Sequence, residues 1–162
     1  MSEPASGGCQ CGAVRFRADR LGGAAICHCR MCQKAFGGFF GPLVTGDGVV
    51  WTRGQPSYFA SSNKFRRGFC SACGTPLTYE RIGGAADGSV ELAIGALDDP
   101  GRAPPSRQVN FGSHVPFFAD LAALPVRASE DAAWIAAQGI VTRQHPDHDT
   151  ASWPPPEESL HG

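Results

Sequence analysis

Short runs in which apolar and polar residues alternate recur along the chain and predict a mainly β fold. In residues 13–18 the alternation places Val14 and Phe16 on an inner face and Arg15 and Arg17 on an outer one. We expect that outer face to be solvated, with an anion-binding strip as the alternative. Further strands are predicted at residues 24–26, 43–45, 49–52, 58–59, 77–81, 89–94 and 109–115.

Two segments have helical character. Residues 30–36 have a composition compatible with a short helix that follows the apolar run at 24–26. Ser129 and the acidic residues after it would cap an alanine-rich helix over residues 132–138, which Gly139 would end. This second helix could pack on the domain or on a second subunit, so a homo-oligomer is left open.

One domain is expected for 162 residues, and 21 glycines and 13 prolines indicate many turns. We divide the chain into a frayed N-terminus (1–6), a main domain (7–126), a C-terminal helix (127–141) and a polar, proline-rich tail (142–162). In the tail, His145 and His148 could form a metal site, but a mobile or loosely docked extension is favoured.

Charge and composition exclude several classes of function. The net charge of -1 gives no overall attraction to nucleic acid or to an anionic membrane. No run approaches the roughly 18 apolar residues that a membrane span needs, and the first eight residues do not resemble a signal peptide. We therefore expect a cytoplasmic protein with reduced thiols, in which clustered cysteines indicate metal binding rather than disulfides.

The cysteines carry the clearest chemical signal. The seven cysteines are Cys9, Cys11, Cys27, Cys29, Cys32, Cys70 and Cys73. Their spacing divides them into two glycine-flanked pairs and one C-x-C-x-x-C triplet. The two pairs supply the four thiolates of a tetrahedral structural zinc. For the pairs to meet, the strands between them must form a sheet that returns on itself. The triplet leaves one position open for water or substrate, as a catalytic zinc requires.

Other residues near these motifs could take part in the chemistry. His28 could be a fourth ligand or a proton carrier, although a residue between two zinc thiolates often points away from the metal. His114, in the strand predicted at 109–115, is the best candidate proton carrier outside the motif, with an ordinary strand histidine as the alternative. Asp98 and Asp99 could act as an acid–base pair, but a solvated turn is favoured.

The basic residues Lys64, Arg66 and Arg67 precede the second cysteine pair. Without a wider basic face, a nucleic-acid site has little support. Holding a substrate carboxylate near the metal is a further hypothesis for this cluster, though not the favoured one. The glycine-rich and aromatic residues 37–42 could form the wall of a pocket beside the open metal position or a turn into the next strand.

Three motifs together resemble the glutathione-dependent formaldehyde-activating enzyme family, which includes the centromere protein V type domain. They are GCQCG at residues 8–12, CHCRMCQK at 27–34 and RGFCSACGTPL at 67–77. Residues 95–100 and 113–125 are also similar to family segments, so the likeness covers about residues 7–125. The resemblance implies a folded-over, Mss4-like β-tent of antiparallel sheets stapled by two zinc ions per chain. It places a structural zinc on Cys9, Cys11, Cys70 and Cys73 and a catalytic zinc on Cys27, Cys29 and Cys32.

The resemblance also implies a carbon–sulfur lyase activity like that of S-(hydroxymethyl)glutathione synthase. Glutathione or a similar small thiol would bind at the triplet and add reversibly to formaldehyde or a related small aldehyde. The triplet is then catalytic, with His114 as a tentative additional residue. Partners would be the small-molecule thiol and aldehyde rather than nucleic acid or membrane. The alternatives are a non-catalytic two-zinc binding module and a zinc or thiol sensor.

Overall fold

The computed structural model describes residues 3–126, 134, 136–140 and 142–152, and it confirms the mainly β fold. The strands are β1 (Ala5–Gly8), β2 (Arg15–Ala18), β3 (Arg20–Cys27), β4 (Gly41–Asp47), β5 (Val50–Arg53), β6 (Ser57–Ala60), β7 (Phe65–Phe69), β8 (Pro76–Arg81), β9 (Val90–Ala93) and β10 (Arg107–Val109). The first α-helix, α1, covers Arg30–Phe36, and 3-10 turns cover Ile94–Ala96, Pro100–Arg102, Phe111–Ser113 and Pro116–Ala123.

The strands form two sheets. A three-stranded antiparallel sheet has the order β1-β2-β5, and a seven-stranded sheet has the order β10-β3-β4-β9-β8-β7-β6. Neighbours in the larger sheet are antiparallel, except that β10 runs parallel to β3. This mixed topology brings the turns after β1 and β7 to one place and the end of β3 beside β10.

The core lies where the two sheets meet. Phe16 and Leu92 are fully buried, and Phe16 packs edge-on against Trp51 at a ring distance of 5.8 Å. Burying one such side chain contributes about 1.5–3 kcal/mol. Gly7 lets the sheets approach, because a Cβ there would collide with the carbonyl oxygen of Ala96 and the ring of Phe16. The small sheet is thereby fixed against the turn at Ile94–Ala96.

The N-terminal segment is more ordered than the sequence predicts. Ala5 is buried in β1, and the Ser6 hydroxyl donates to Asp98 Oδ2 at 2.5 Å. Arg102 donates to the carbonyl oxygens of Glu3 and Pro4. The predicted frayed segment therefore does not extend to residue 6, because pairing with β2 and these polar contacts hold it.

The prediction of a strand at residues 109–115 is wrong for all of these residues except Val109. β10 ends at Val109, because Asn110 adopts a left-handed conformation with φ of 53° and the chain then turns at Phe111–Ser113. His114 consequently follows a 3-10 turn instead of lying in a strand.

The tail docks onto the domain through residues 142–152. His145 is 5% exposed, and its backbone N–H donates to the carbonyl of Gln10 at 2.7 Å. Arg53 donates to the hydroxyl of Thr150 at 3.1 Å. Among the described residues, the groups of three or more side chains able to hold a metal do not include His145 or His148, so the third metal site that we considered has no support there.

The predicted C-terminal helix lies mostly outside the described residues. Within the described part, Trp134, Ala136 and Ala137 are helical. Gly139 has a φ of 63°, consistent with its predicted place at the helix end. None of the helices in the described ranges is both long enough and apolar enough to span a membrane.

Candidate metal centres

The two cysteine pairs meet as predicted. Cys9 and Cys11 lie in the turn after β1, and Cys70 and Cys73 lie in the turn after β7. The four Sγ atoms all lie within 4.8 Å of one another, with 3.6 Å between Cys9 and Cys11 and 3.8 Å between Cys11 and Cys70. We call these residues the four-cysteine cluster; its donor set fits a tetrahedral zinc.

Both turns have the same local design. Gly12 and Gly74 follow their cysteine pairs with φ of 76° and 77°, a conformation that a glycine adopts without strain. The Val14 N–H donates to Cys9 Sγ at 3.2 Å, and the Gly74 N–H donates to the Cys70 carbonyl at 2.8 Å. The glycines therefore let each turn present two sulfurs on one side.

The thiols of this cluster differ in acidity. Burial raises the pKa of Cys73. Hydrogen bonds with Thr75 and Cys11 outweigh this effect and lower the pKa to about 6. Burial raises the pKa of Cys11 to about 12, and hydrogen bonds with neighbouring cysteines add to the rise. Without a cation the four sulfurs would not all ionise together, which fits a site whose thiolates a metal ion stabilises.

The C-x-C-x-x-C triplet forms a second group, the three-cysteine cluster. Cys27 ends β3, Cys29 is the N-cap of α1, and Cys32 lies in the first turn of that helix. The three Sγ atoms lie within 4.8 Å of one another. The Cys32 N–H donates to Cys29 Sγ at 3.4 Å, as capping residues do. The sequence thus correctly predicted that the helix begins beside the triplet.

Two side chains from distant parts of the chain donate to this cluster. Asn110 Nδ2 lies 3.3 Å from Cys27 Sγ, and Arg67 Nη2 lies 3.3 Å from Cys32 Sγ. Burial raises the pKa of Cys27, but hydrogen bonds from Asn110 and other donors outweigh the effect of burial. The pKa of Cys27 is therefore below its ordinary value. For Cys32, burial outweighs Arg67 and raises the pKa to about 12. Three such thiolates fit a divalent metal with one position left for another ligand.

Comparison with known proteins identifies the family of the chain. The sequence model of the family described as glutathione-dependent formaldehyde-activating enzyme matches residues 4–113. The chain belongs to this family. A crystal structure of a Rhodobacter sphaeroides protein has 20% sequence identity to it and a TM-score of 0.51, over 64% of this chain and 99% of that one. That likeness concerns the fold alone. No curated protein matches the chain significantly.

His28, which lies inside the family's triplet motif, is fully buried and turned toward other partners. Its Nε2 is 2.8 Å from Gln108 Oε1, and its ring packs edge-on against Phe118 and Phe111 at 4.5 and 5.4 Å. Its Nδ1 has no hydrogen-bond partner among the described residues. His28 does not belong to the cluster of potential ligand atoms. This supports the prediction that it points away from the metal.

His114 packs in the same aromatic group. Its ring stacks on Phe111 at 4.2 Å, and its Nδ1 is 2.6 Å from the Phe111 carbonyl oxygen. It lies 6.3 Å from the His28 ring. No described contact joins His114 to a cysteine sulfur, so its role as a proton carrier remains a prediction.

Sequence reasoning missed Asn110 and gave little weight to Arg67. A lone asparagine after a predicted strand has no spacing relationship to Cys27, which lies 83 positions away. Arg67 stands three residues before Cys70 but contacts Cys32 of the other cluster. Adjacent strands and turns of this family's fold bring both side chains to the triplet, a relationship that depends on topology rather than local pattern.

Proposed function

We propose that this protein is a zinc-dependent carbon–sulfur lyase-type enzyme that adds a small, glutathione-like thiol reversibly to formaldehyde or a related small aldehyde. Family membership supports this activity at the level of the family. The observation that carries it for this chain is the three-cysteine cluster. Its sulfurs converge within 4.8 Å, and the cluster has one ligand fewer than a closed tetrahedral site.

The donor set fits zinc on chemical grounds. Cys27, Cys29 and Cys32 would hold it, and Cys9, Cys11, Cys70 and Cys73 would hold a second, structural ion. When bound at the triplet, zinc supplies an open coordination position and lowers the pKa of a thiol that reaches it.

The surrounding residues hold the sulfurs in place. The Asn110 amide and the Arg67 guanidinium donate to Cys27 and Cys32, which fixes their orientation and spreads their negative charge. The N-cap position of Cys29 fixes the third sulfur relative to α1. Pre-set positions of this kind reduce the entropic cost of bringing thiol and aldehyde together.

The reaction balances without an added oxidant or reductant. The thiol sulfur forms a bond to the aldehyde carbon while the C=O π bond breaks, and the proton that the thiol loses ends on the new hydroxyl oxygen. The reverse reaction breaks the same carbon–sulfur bond. Since thiols add to formaldehyde readily, orientation and a supply of thiolate are the main contributions required of the protein.

Native mass spectrometry of the reduced protein, with and without glutathione, tests this proposal. We expect two zinc ions and one bound glutathione per chain. Cys29→Ser should lose the glutathione, whereas Met31→Ser should keep it, because Met31 lies in the same helix but is 56% exposed. Formaldehyde exchange would then be measured on the wild type.

Three results would contradict the proposal. Two zinc ions with no effect of glutathione would favour a non-catalytic binding module. Reversible loss of zinc from the triplet without a thiol adduct would favour a sensor. Equal glutathione binding by the Cys29→Ser and Met31→Ser variants would show that the thiol binds elsewhere.

A further inference from the structure

A cleft of about 170 Å³ is lined in part by Arg67, the residue that donates to Cys32 of the three-cysteine cluster. Phe36 of α1 forms part of one wall, and Phe69 and Pro76 contribute apolar surface from β7 and β8. Arg67 is the charged residue among those that line it. Apolar walls with a single charged group are typical of a subsite for a small organic anion.

The environment of Arg67 differs from that of its neighbour Arg66. Arg66 is paired with Glu80 at 2.8 Å and lies over the Tyr58 ring at 3.8 Å. Arg67 is only 8% exposed, yet none of the ion pairs between described residues joins it to a carboxylate. Buried arginines are normally paired, so this guanidinium is suited to accept an anion from outside.

The guanidinium has hydrogen-bonding capacity to spare. It carries five N–H donors in a planar fork, and its side-chain hydrogen bond within the described part of the chain is the one to Cys32. Its centre lies 4.9 Å from the middle of the Tyr79 ring, which limits the orientations of the fork. One edge can therefore serve Cys32 while other donors bind a carboxylate.

We propose that this cleft binds the carboxylate end of the thiol substrate, with Arg67 as its partner and Phe36, Phe69 and Pro76 against a short apolar chain. This inference rests on the proposed function and names its substrate class. Arg67 Nη2 is 3.3 Å from Cys32 Sγ, and the triplet's sulfurs lie within 4.8 Å of one another. A carboxylate on Arg67 and a sulfur at the cluster are thus only a few carbon atoms apart. The preferred thiols are mercapto carboxylic acids.

The competing interpretation is that Arg67 only neutralises the cluster. Three thiolates and a divalent cation leave one negative charge, which a single guanidinium can balance. The two interpretations differ in one measurable way. If Arg67 binds substrate, its loss weakens carboxylate-bearing thiols selectively. If it only balances charge, its loss affects all thiols equally.

The test uses the zinc-loaded protein and two thiols of equal length, 3-mercaptopropionate and 3-mercaptopropanol. Isothermal titration should show at least tenfold tighter binding of the acid. Arg67→Gln should abolish this preference, whereas Arg66→Gln, the matched control, should retain it. Butyrate, which has no thiol, should shift the NMR signals of Gly68 and Thr78, because both residues line the cleft.

A second variant keeps the test valid if Arg67→Gln fails to fold or loses zinc. Ala35→Trp fills the cleft from α1 without changing Arg67 or a cysteine, and it should also remove the preference for the acid. Equal affinity for acid and alcohol in the wild type, or equal loss of both in Arg67→Gln, would overturn the inference. Arg67-dependent binding of butyrate without any thiol binding would support the cleft and refute the proposed function.

Discussion

Arg15 Nη2 lies 2.7 Å from Asp149 Oδ1, a contact that joins β2 to a residue 134 positions later in the chain. The same guanidinium binds both carboxylate oxygens of Asp98, at 2.7 and 2.6 Å. Arg15 is only 3% exposed, so the expectation of a solvated outer strand face is wrong for Arg15, whereas Arg17 is 51% exposed as expected. Asp149 lies beyond residue 113, where the match to the family model ends. The tail therefore completes an ion-pair network that begins in the family domain.

Asp98→Asn should destabilise the protein more than Asp149→Asn. Asp98 is 11% exposed and Asp149 is 55% exposed, so solvent screens the second pair. We expect a loss of about 3–5 kcal/mol for Asp98→Asn and about 0.5–1 kcal/mol for Asp149→Asn. Urea unfolding of the zinc-loaded protein measures both, with exposed Asp147→Asn as a neutral control. Equal losses would show that the tail contact is as strong as the contact within the domain.

The docked tail should make stability depend on pH near neutrality. Burial lowers the pKa of His145, and the charges of Arg15 and Arg53 lower it further, while the Pro146 carbonyl and the charge of Asp98 oppose them. Because this pKa is lowered, the contribution of His145 to stability is complete above pH 6.5, its ordinary pKa. The contribution is lost as the pH falls through the pKa that His145 has in the folded protein. The free energy of unfolding should therefore decrease between pH 7.5 and 5.5. The slope should be smaller in His145→Gln and unchanged in exposed His148→Gln; equal slopes in all three proteins would contradict this assignment.

Local patterns predicted much of the fold. The strands predicted at residues 13–18 and 77–81 and the helix predicted at residues 30–36 all appear in the structure, as β2, β8 and α1. β1 was not predicted, since Ala-Ser-Gly-Gly has little intrinsic strand preference. It forms because β2 pairs with it and Gly7 packs against the 3-10 turn at Ile94–Ala96.

The cysteine spacing predicted both clusters but not the groups around them. Spacing within a turn determines which sulfurs can converge, and the two clusters follow it. Which side chains donate to those sulfurs depends on strand order, so Asn110 and Arg67 could not be assigned. Likewise, alternation placed Arg15 on an outer face but could not show that Asp98 and Asp149 pair with its guanidinium.

Asn110→Gly should make the three-cysteine cluster lose metal at higher pH. Glycine retains the left-handed backbone but removes the hydrogen bond that helps to lower the pKa of Cys27. A hydrogen bond of about 1 kcal/mol corresponds to a shift of about 0.7 pH unit. Alkylation of the triplet cysteines, followed by mass spectrometry across a pH series, reports metal release. Asn63→Gly, in an exposed turn, should leave the profile unchanged, and a matching shift in both variants would rule out this role.

The two clusters should differ in what their loss does to the protein. Cys73→Ser removes a ligand from the four-cysteine cluster that ties the turns after β1 and β7, and structural zinc contributes on the order of 10 kcal/mol to such folds. We expect this variant to lose cooperative unfolding, as followed by circular dichroism and tryptophan fluorescence. Cys29→Ser should retain cooperative unfolding and one zinc ion, because its cluster joins one strand end to the adjacent helix. Ser71→Ala, an exposed change in the same turn as Cys73, is the control and should behave as wild type. If Cys29→Ser unfolds the chain as completely as Cys73→Ser, the three-cysteine cluster is structural as well, and its assignment to thiol chemistry fails.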